Sequence, residues 1–113
     1  MNAIPRPGVP VRGSRSGRPE MALLDLLDRR WTLRILWELR ATPLNFRALQ
    51  AACGGVSPSV LNSRLKELRA ARLLVDAEQG YQLSALGNSL LAQLRPLADW
   101  AQRWARELEQ AGR

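Results

Sequence analysis

The chain has 113 residues, of which 46% are hydrophobic and 24% charged, and these values are typical of one small folded domain. It has no histidine and a single cysteine, which excludes histidine-based catalysis, His-ligated metal sites and an internal disulfide. The formal net charge is +7, and residues 29–72, with nine basic and two acidic side chains, carry an excess of the same size. This bias suits a surface that contacts phosphates, and a solvated basic face without a partner would produce it equally well.

Residues 1–18 are predicted to form a flexible basic tail. They contain four arginines and no acid, and their many prolines and glycines cannot offset the entropy lost on ordering. The tail lacks the continuous apolar core of a secretory signal, and no stretch of about 18 apolar residues occurs elsewhere in the chain. We therefore expect a cytoplasmic protein without a membrane span.

The spacing of apolar residues predicts two helices after the tail. The first covers about 20–29 and includes Leu24. The second covers about 32–40 and ends before Pro43, since the residue that precedes a proline disfavours the helical conformation. We expect Trp31 and Trp37 to pack against the core.

Two further helices and a hairpin follow in close succession. Asn45 is the predicted N-cap of a helix over 45–52, and the turn 53–56 contains two glycines. Ser57 is the predicted N-cap of a helix over 57–70, and strands over 73–75 and 81–83 are joined by a tight turn at Gly80. Two short helices joined by a glycine-containing turn and followed by a hairpin are the layout of a winged helix-turn-helix.

The helix 57–70 has one leucine-rich face and one polar face. Short hydrogen-bonding groups near its start and cations further along suit contact with base edges and phosphates. The predicted DNA-binding residues are Arg47, Ser57, Ser59, Asn62, Ser63, Arg64 and Lys66. Two alternatives stay open, namely that this face is only solvated and that Arg64 forms an ion pair with Glu67 at i+3.

The C-terminal part predicts two more helices. Ser84 is the N-cap of one, Pro96 interrupts it, and a last helix over about 96–110 follows. Trp100 and Trp104 lie on one face of the last helix and fill either the chain's own core or an interface with a partner subunit. We favour the partner, because little of the domain remains for this helix to pack on. The predicted dimer interface comprises Leu24, Leu97, Trp100 and Trp104.

Several blocks along the chain together resemble a known family. They are Arg30-Trp31-Thr32-Leu33, Phe46-Arg47-Ala48-Leu49, the run from Ser57 to Leu68, Leu73-Leu74-Val75 and Tyr81-Gln82-Leu83-Ser84. In this order they resemble the HxlR-type regulators over residues 19–105. The resemblance implies a homodimeric, MarR-like winged-helix transcription factor. It also implies that the helix 57–70 reads the major groove and that the N- and C-terminal helices form the dimer interface.

The chain departs from that family pattern at three places. Members that sense electrophiles or oxidants carry a cysteine just before the first helix, where this chain has Arg18. Cys53 falls at a position that is usually apolar, so we expect a buried small hydrophobe. The segment 76–80 is short and acidic where the family wing is longer and often basic, and the basic tail is expected to contact DNA in its place.

The sequence thus predicts a mainly α fold with a small β-hairpin. A winged helix-turn-helix domain at 19–95 is expected between the tail 1–18 and a C-terminal dimerisation helix at 96–113. The predicted function is sequence-specific double-stranded DNA binding by a homodimeric transcription regulator. The alternative is a winged-helix protein-interaction module without DNA binding, which the acidic wing favours. We expect no enzymatic activity, cofactor or metal, and an unidentified small-molecule effector is a further candidate partner.

Overall fold

The computed structural model describes residues 4–112, so residues 1–3 of the predicted tail and residue 113 of the predicted dimerisation helix lie outside the described residues. Within this range the elements are α1 (Pro19–Leu27), α2 (Thr32–Glu38), α3 (Phe46–Cys53), α4 (Pro58–Ala70), β1 (Leu74–Ala77), β2 (Gly80–Leu83), α5 (Ala85–Leu94) and α6 (Pro96–Ala111). The predicted mainly α fold with a small hairpin is confirmed. None of these helices combines the length and the apolar character that crossing a membrane requires.

The predicted N-caps start three of the helices. The Asn45 side chain accepts a hydrogen bond from the Ala48 N–H (2.8 Å), and the Ser57 hydroxyl accepts one from the Val60 N–H (3.2 Å). The Ser84 hydroxyl accepts one from the Gly87 N–H (2.9 Å). Each bond satisfies a backbone donor that has no partner within its own helix.

Helix α2 ends at Glu38, two residues earlier than predicted. Leu39 is nevertheless buried, because it packs into the core from the C-cap position. The apolar spacing therefore continues beyond the helix, and spacing alone cannot locate the end.

The core is built mainly from leucines of α2, α3, α4, the hairpin and α5. Its most deeply buried members are Ile35, Leu36, Leu49, Leu61, Leu65 and Leu68. The three leucines of α4 come from the face that the sequence assigns to the interior. Trp31 and Trp37 are half-buried and pack against this core, as expected.

The hairpin pairs β1 and β2 antiparallel, with Leu74 opposite Leu83 and Asp76 opposite Tyr81. Both strands extend closer to the turn than predicted, because only Glu78 and Gln79 connect them. A single-residue bridge adds Leu44 to the outer side of β2: its N–H donates to the Tyr81 carbonyl (3.0 Å), and the Tyr81 N–H donates to its carbonyl (2.8 Å). The sequence gives no signal for this bridge.

Two glycines allow the hairpin to approach its neighbours closely. Gly80 has a φ of +137°, and a Cβ there would lie 2.3 Å from the Leu44 carbonyl oxygen. A Cβ on Gly87 of α5 would lie 2.1 Å from the Leu73 carbonyl oxygen. Glycine at these positions fixes the hairpin between α5 and the segment that precedes α3.

The described part of the N-terminal tail folds back toward α1. The Gly8 N–H donates to the Gly17 carbonyl (2.7 Å), and Arg12 forms ion pairs with Asp28 (2.8 Å) and Asp25 (3.4 Å) of the α1 region. The carboxylates near α1 therefore attract one cation of a segment whose composition predicts flexibility. Its mobility in solution stays a prediction.

A buried carboxylate links α4 to the turn between α1 and α2. Glu67 is only 4% exposed and forms ion pairs with Arg29 and with Arg64, the latter at 2.9 Å. The Arg64 Nε also donates to the Arg30 carbonyl (2.8 Å). Burying a carboxylate is costly unless cations face it, so these contacts constrain how α4 packs on that turn.

The same turn also lies close to the bend between α3 and α4. Trp31, which caps α2, adopts a positive φ of 78°, an unusual conformation for a bulky residue. Its ring atom Cη2 lies 4.0 Å from the position that a Cβ on Gly55 would take. The α1–α2 turn therefore contacts α4 and lies close to the bend that precedes it.

Glu67→Gln is expected to destabilise the fold. The amide keeps the size of the carboxylate but removes the buried negative charge that faces Arg29 and Arg64, which should cost about 3–5 kcal/mol. The free energy of unfolding in urea measures this cost. Glu78→Gln, on the exposed hairpin turn, is the matched control and should change it by less than about 0.5 kcal/mol. Equal unfolding midpoints for the two variants would contradict the role of Glu67.

Candidate nucleic-acid interface

The outward face of α4 is polar and accessible. Ser59, Asn62 and Lys66 are exposed and Ser63 is half-buried, on the side of α4 opposite Leu61, Leu65 and Leu68. Hydroxyl and amide groups therefore lie toward the start of the helix and an ammonium group further along. We call Ser59, Asn62, Ser63 and Lys66 the outward face.

Two further predicted residues flank this face. Ser57 is exposed at the N-cap of α4, where its hydroxyl oxygen is occupied by the Val60 N–H and its own proton remains available. Arg47 is exposed at the second position of α3, the first helix of the helix-turn-helix. The accessible residues predicted to bind DNA thus lie on α3 and on α4 with its N-cap.

Arg64 differs from the other predicted residues. Its side chain is only 21% exposed, and its guanidinium is bound to Glu67 and to the Arg30 carbonyl. The ion pair that the sequence analysis left open as an alternative is therefore present. The i+3 spacing of Arg64 and Glu67 was the available signal in the sequence, but it did not reveal that Glu67 is buried and also pairs with Arg29.

Arg69 extends the outward face by one turn, and its guanidinium is held by the hairpin. Its Nη2 donates to the Asp76 carboxylate (2.7 Å), and its guanidinium carbon lies 5.8 Å from the centre of the Tyr81 ring. The hairpin thus places the exposed carboxylate of Asp76 beside the basic end of α4, and Glu78 is exposed on the hairpin turn.

Cys53 lies in the core at the end of α3, with 2% of its surface exposed. Burial raises the pKa of its thiol, the charge of Arg34 opposes that rise, and the charge of Glu38 adds to it. The thiol is therefore protonated and inaccessible at neutral pH, as expected for a small core residue. Between residues 4 and 112 no cluster of acidic or cysteine side chains could hold a metal ion.

Helix α6 carries an exposed apolar stripe, formed by Leu97, Trp100, Trp104 and Leu108. Each is more than half exposed, and the rings of Trp100 and Trp104 stack with centroids 6.0 Å apart and planes inclined by 19°. No residue of this helix, which is described along its whole length, is buried. The two tryptophans therefore do not fill the chain's own core. Leu24 of α1 is exposed as well, and the dimer interface stays a prediction.

Known proteins share both the sequence and the fold. The profile of the HxlR-like helix-turn-helix family matches residues 26–109. YvaP, an HTH-type transcriptional regulator of Bacillus subtilis strain 168, is 28% identical over 88 residues, which cover 72% of this chain and 82% of YvaP.

Two solved structures have the same architecture. Quinone-bound YodB from B. subtilis has a TM-score of 0.68 at 28% identity, covering 75% of this chain and 98% of YodB. A possible HxlR family transcriptional factor from Thermoplasma volcanium GSS1 has a TM-score of 0.68 at 26% identity, covering 78% of this chain and 85% of the other. The hairpin that follows α4 is accordingly the wing of a winged helix. The chain belongs to the HxlR-like helix-turn-helix family of transcriptional regulators.

Proposed function

We propose that this chain regulates transcription by binding double-stranded DNA sequence-specifically as a homodimer, with α4 in the major groove. The observation that carries the proposal is the division of α4 into a buried leucine face and the outward face. Hydrogen-bonding side chains on an exposed helix of a helix-turn-helix can reach base edges in the major groove.

The residues of the interface take different parts in this proposal. Asn62 can bond to both N6 and N7 of an adenine, and Ser59 can serve as donor or acceptor to several bases. Lys66 and Arg47 supply positive charge for phosphates, and Ser57 lies where the amide groups at a helix start favour an anion. Arg64 supports α4 from within the chain, so we assign it no direct DNA contact.

Asn62→Ala and Arg47→Ala are expected to change DNA binding in different ways. Loss of the amide should remove about 1–3 kcal/mol of discrimination at one base pair of each half-site. Loss of the guanidinium should weaken all duplexes about equally and reduce the log–log salt slope by about one unit per subunit. Anisotropy titrations over a salt series, with a duplex selected from genomic fragments and a scrambled one, measure both effects.

The controls for these variants are Asn88→Ala on α5 and Arg103→Ala on α6, exposed residues of the same types outside the proposed interface. Asn88→Ala should leave binding unchanged, and Arg103→Ala should alter it only by the small effect of one lost charge. A salt slope near zero for the wild type would contradict DNA binding by a basic face. A stoichiometric protein partner, with no shift of any genomic duplex, would favour the protein-interaction alternative instead.

The apolar stripe of α6 supports the homodimer part of the proposal. Exposed apolar patches of this kind mark interaction surfaces, and buried tryptophans are among the residues that dominate interface energies. Helix α6 packs on its own chain chiefly through α5 and leaves this stripe uncovered. A second copy of α6 offers an apolar surface of the same kind, which a twofold axis would place against it.

Trp104→Ala is expected to weaken the dimer by about 2 kcal/mol or more, because it removes a large apolar side chain from the centre of the stripe. Sedimentation equilibrium over a concentration series measures the dissociation constant. Gln102→Ala, an exposed polar position of the same helix, should leave that constant unchanged. A wild-type chain that is folded and monomeric throughout the series would contradict the homodimer.

A small effector is the last part of the proposal. A groove of about 320 Å³ lies between α2 and the α5–α6 region, lined by Leu33, Arg34, Trp37, Leu91, Leu94 and Leu97. This volume suits a small, largely apolar molecule. YodB is known in a quinone-bound structure. In this chain Cys53 is 2% exposed and does not line the groove, so we propose non-covalent binding there. The intrinsic tryptophan fluorescence, to which Trp37 of the groove contributes, should change on binding. The absence of any change across a library of small apolar ligands would contradict this part of the proposal.

A further inference from the structure

The wing holds a cation that lies in line with the outward face of α4. Arg69 follows Lys66 by three residues and Asn62 by seven, so all three lie on one side of the helix. Its guanidinium donates to the Asp76 carboxylate at 2.7 Å and lies 5.8 Å from the Tyr81 ring centre. Asp76 and Tyr81 are directly opposite each other in the hairpin register. One cross-strand pair of the wing therefore supplies both contacts.

The Arg69–Asp76 ion pair is exposed on both sides. The two side chains are 45% and 71% exposed, so water screens the pair and it adds little to the stability of the fold. Arg69 can therefore exchange the carboxylate for another anion at small cost. A DNA phosphate is such an anion, and an arginine can bind it with two parallel hydrogen bonds.

Asp76 opposes that exchange in two ways. It competes with the phosphate for the guanidinium, and its negative charge would remain beside the phosphate after Arg69 had turned away. Glu78 on the adjoining turn adds a second exposed negative charge, but no described contact links it to Arg69. The competition at Arg69 thus rests on Asp76 alone among the acids of the wing.

We propose that Asp76 competes with DNA phosphate for Arg69 and thereby lowers the affinity of the regulator for duplex DNA. The wing thus inhibits the contact between Arg69 and phosphate and does not itself bind DNA. This inference rests on the proposed function, in which the outward face of α4 contacts DNA. Asp76 is in this respect a positioning residue, because it acts through Arg69.

Asp76→Asn tests the proposal, since the amide keeps the shape of the side chain and removes its charge. The released Arg69 should add about one phosphate contact per subunit, which makes the log–log salt slope steeper by about 0.9 per subunit. Affinity at low salt should rise about five- to tenfold, equally for a selected duplex and a scrambled one, because phosphates carry no sequence information. Fluorescence anisotropy of the full chain over a salt series measures both quantities.

Glu78→Gln is the matched control, because it removes one negative charge from the same hairpin and leaves the Arg69–Asp76 ion pair intact. It should raise affinity less than Asp76→Asn and keep the wild-type slope. In an Arg69→Ala background, Asp76→Asn should no longer steepen the slope. This result would show that Asp76 acts through Arg69 and not only through the net charge.

Two results would overturn the inference. One is an unchanged slope for Asp76→Asn when the wild type binds with normal salt dependence. The other is an equally steeper slope for Glu78→Gln. Failure of the proposed function would look different, because the wild type itself would then bind duplexes without salt dependence or not at all.

Discussion

The burial of Glu67 between Arg29 and Arg64 is the constraint on which the arrangement of α4 depends. A carboxylate that is 4% exposed is tolerated only where cations and hydrogen-bond donors face it. Arg29 of the α1–α2 turn and Arg64 of α4 supply the two positive charges. The position of α4 is therefore set by an electrostatic contact as well as by its leucines.

The surface of α4 consequently has three parts with different neighbours. Leucines fill the core, Arg64 and Glu67 form the border with the α1–α2 turn, and the outward face is left for other partners. Because Arg64 is bound within this border, we assign the proposed phosphate contacts to Lys66 and to Arg47 on α3, and to Arg69 only when it leaves Asp76. In the proposed complex, carboxylates that bind arginines within the chain therefore reduce the number of arginines that can contact phosphates.

Local features of the fold could be predicted from the sequence. Asn45, Ser57 and Ser84 cap helices because a cap needs only a side-chain oxygen and a backbone N–H three residues later. The inward leucines of α4 follow from helical spacing. The end of α2 was predicted too late, since a residue just beyond a helix can still reach the core, as Leu39 does.

Contacts between distant parts of the chain could not be predicted in this way. Arg29 and Glu67 are 38 residues apart, and neither has a local pattern that marks the other as its partner. The bridge between Leu44 and Tyr81 likewise depends on how the hairpin is placed. For the candidate site, the structure leaves Ser59, Asn62, Ser63 and Lys66 accessible on one side of α4, and their contact with DNA stays a prediction. The sequence could not show which of the predicted arginines were already bound within the chain.

Cleavage of DNA by an iron chelate attached to α4 tests most directly whether this helix occupies the major groove. Cys53 is 2% exposed. A thiol-reactive iron chelate will therefore modify the folded Ser59→Cys variant at residue 59 and not at residue 53. If α4 lies in the groove, hydroxyl radicals from this position will cut within each half-site of a selected duplex, whereas a chelate at Gln102→Cys on α6 will not cut there. Cutting within the half-sites from position 102 and none from position 59 would contradict the proposed orientation.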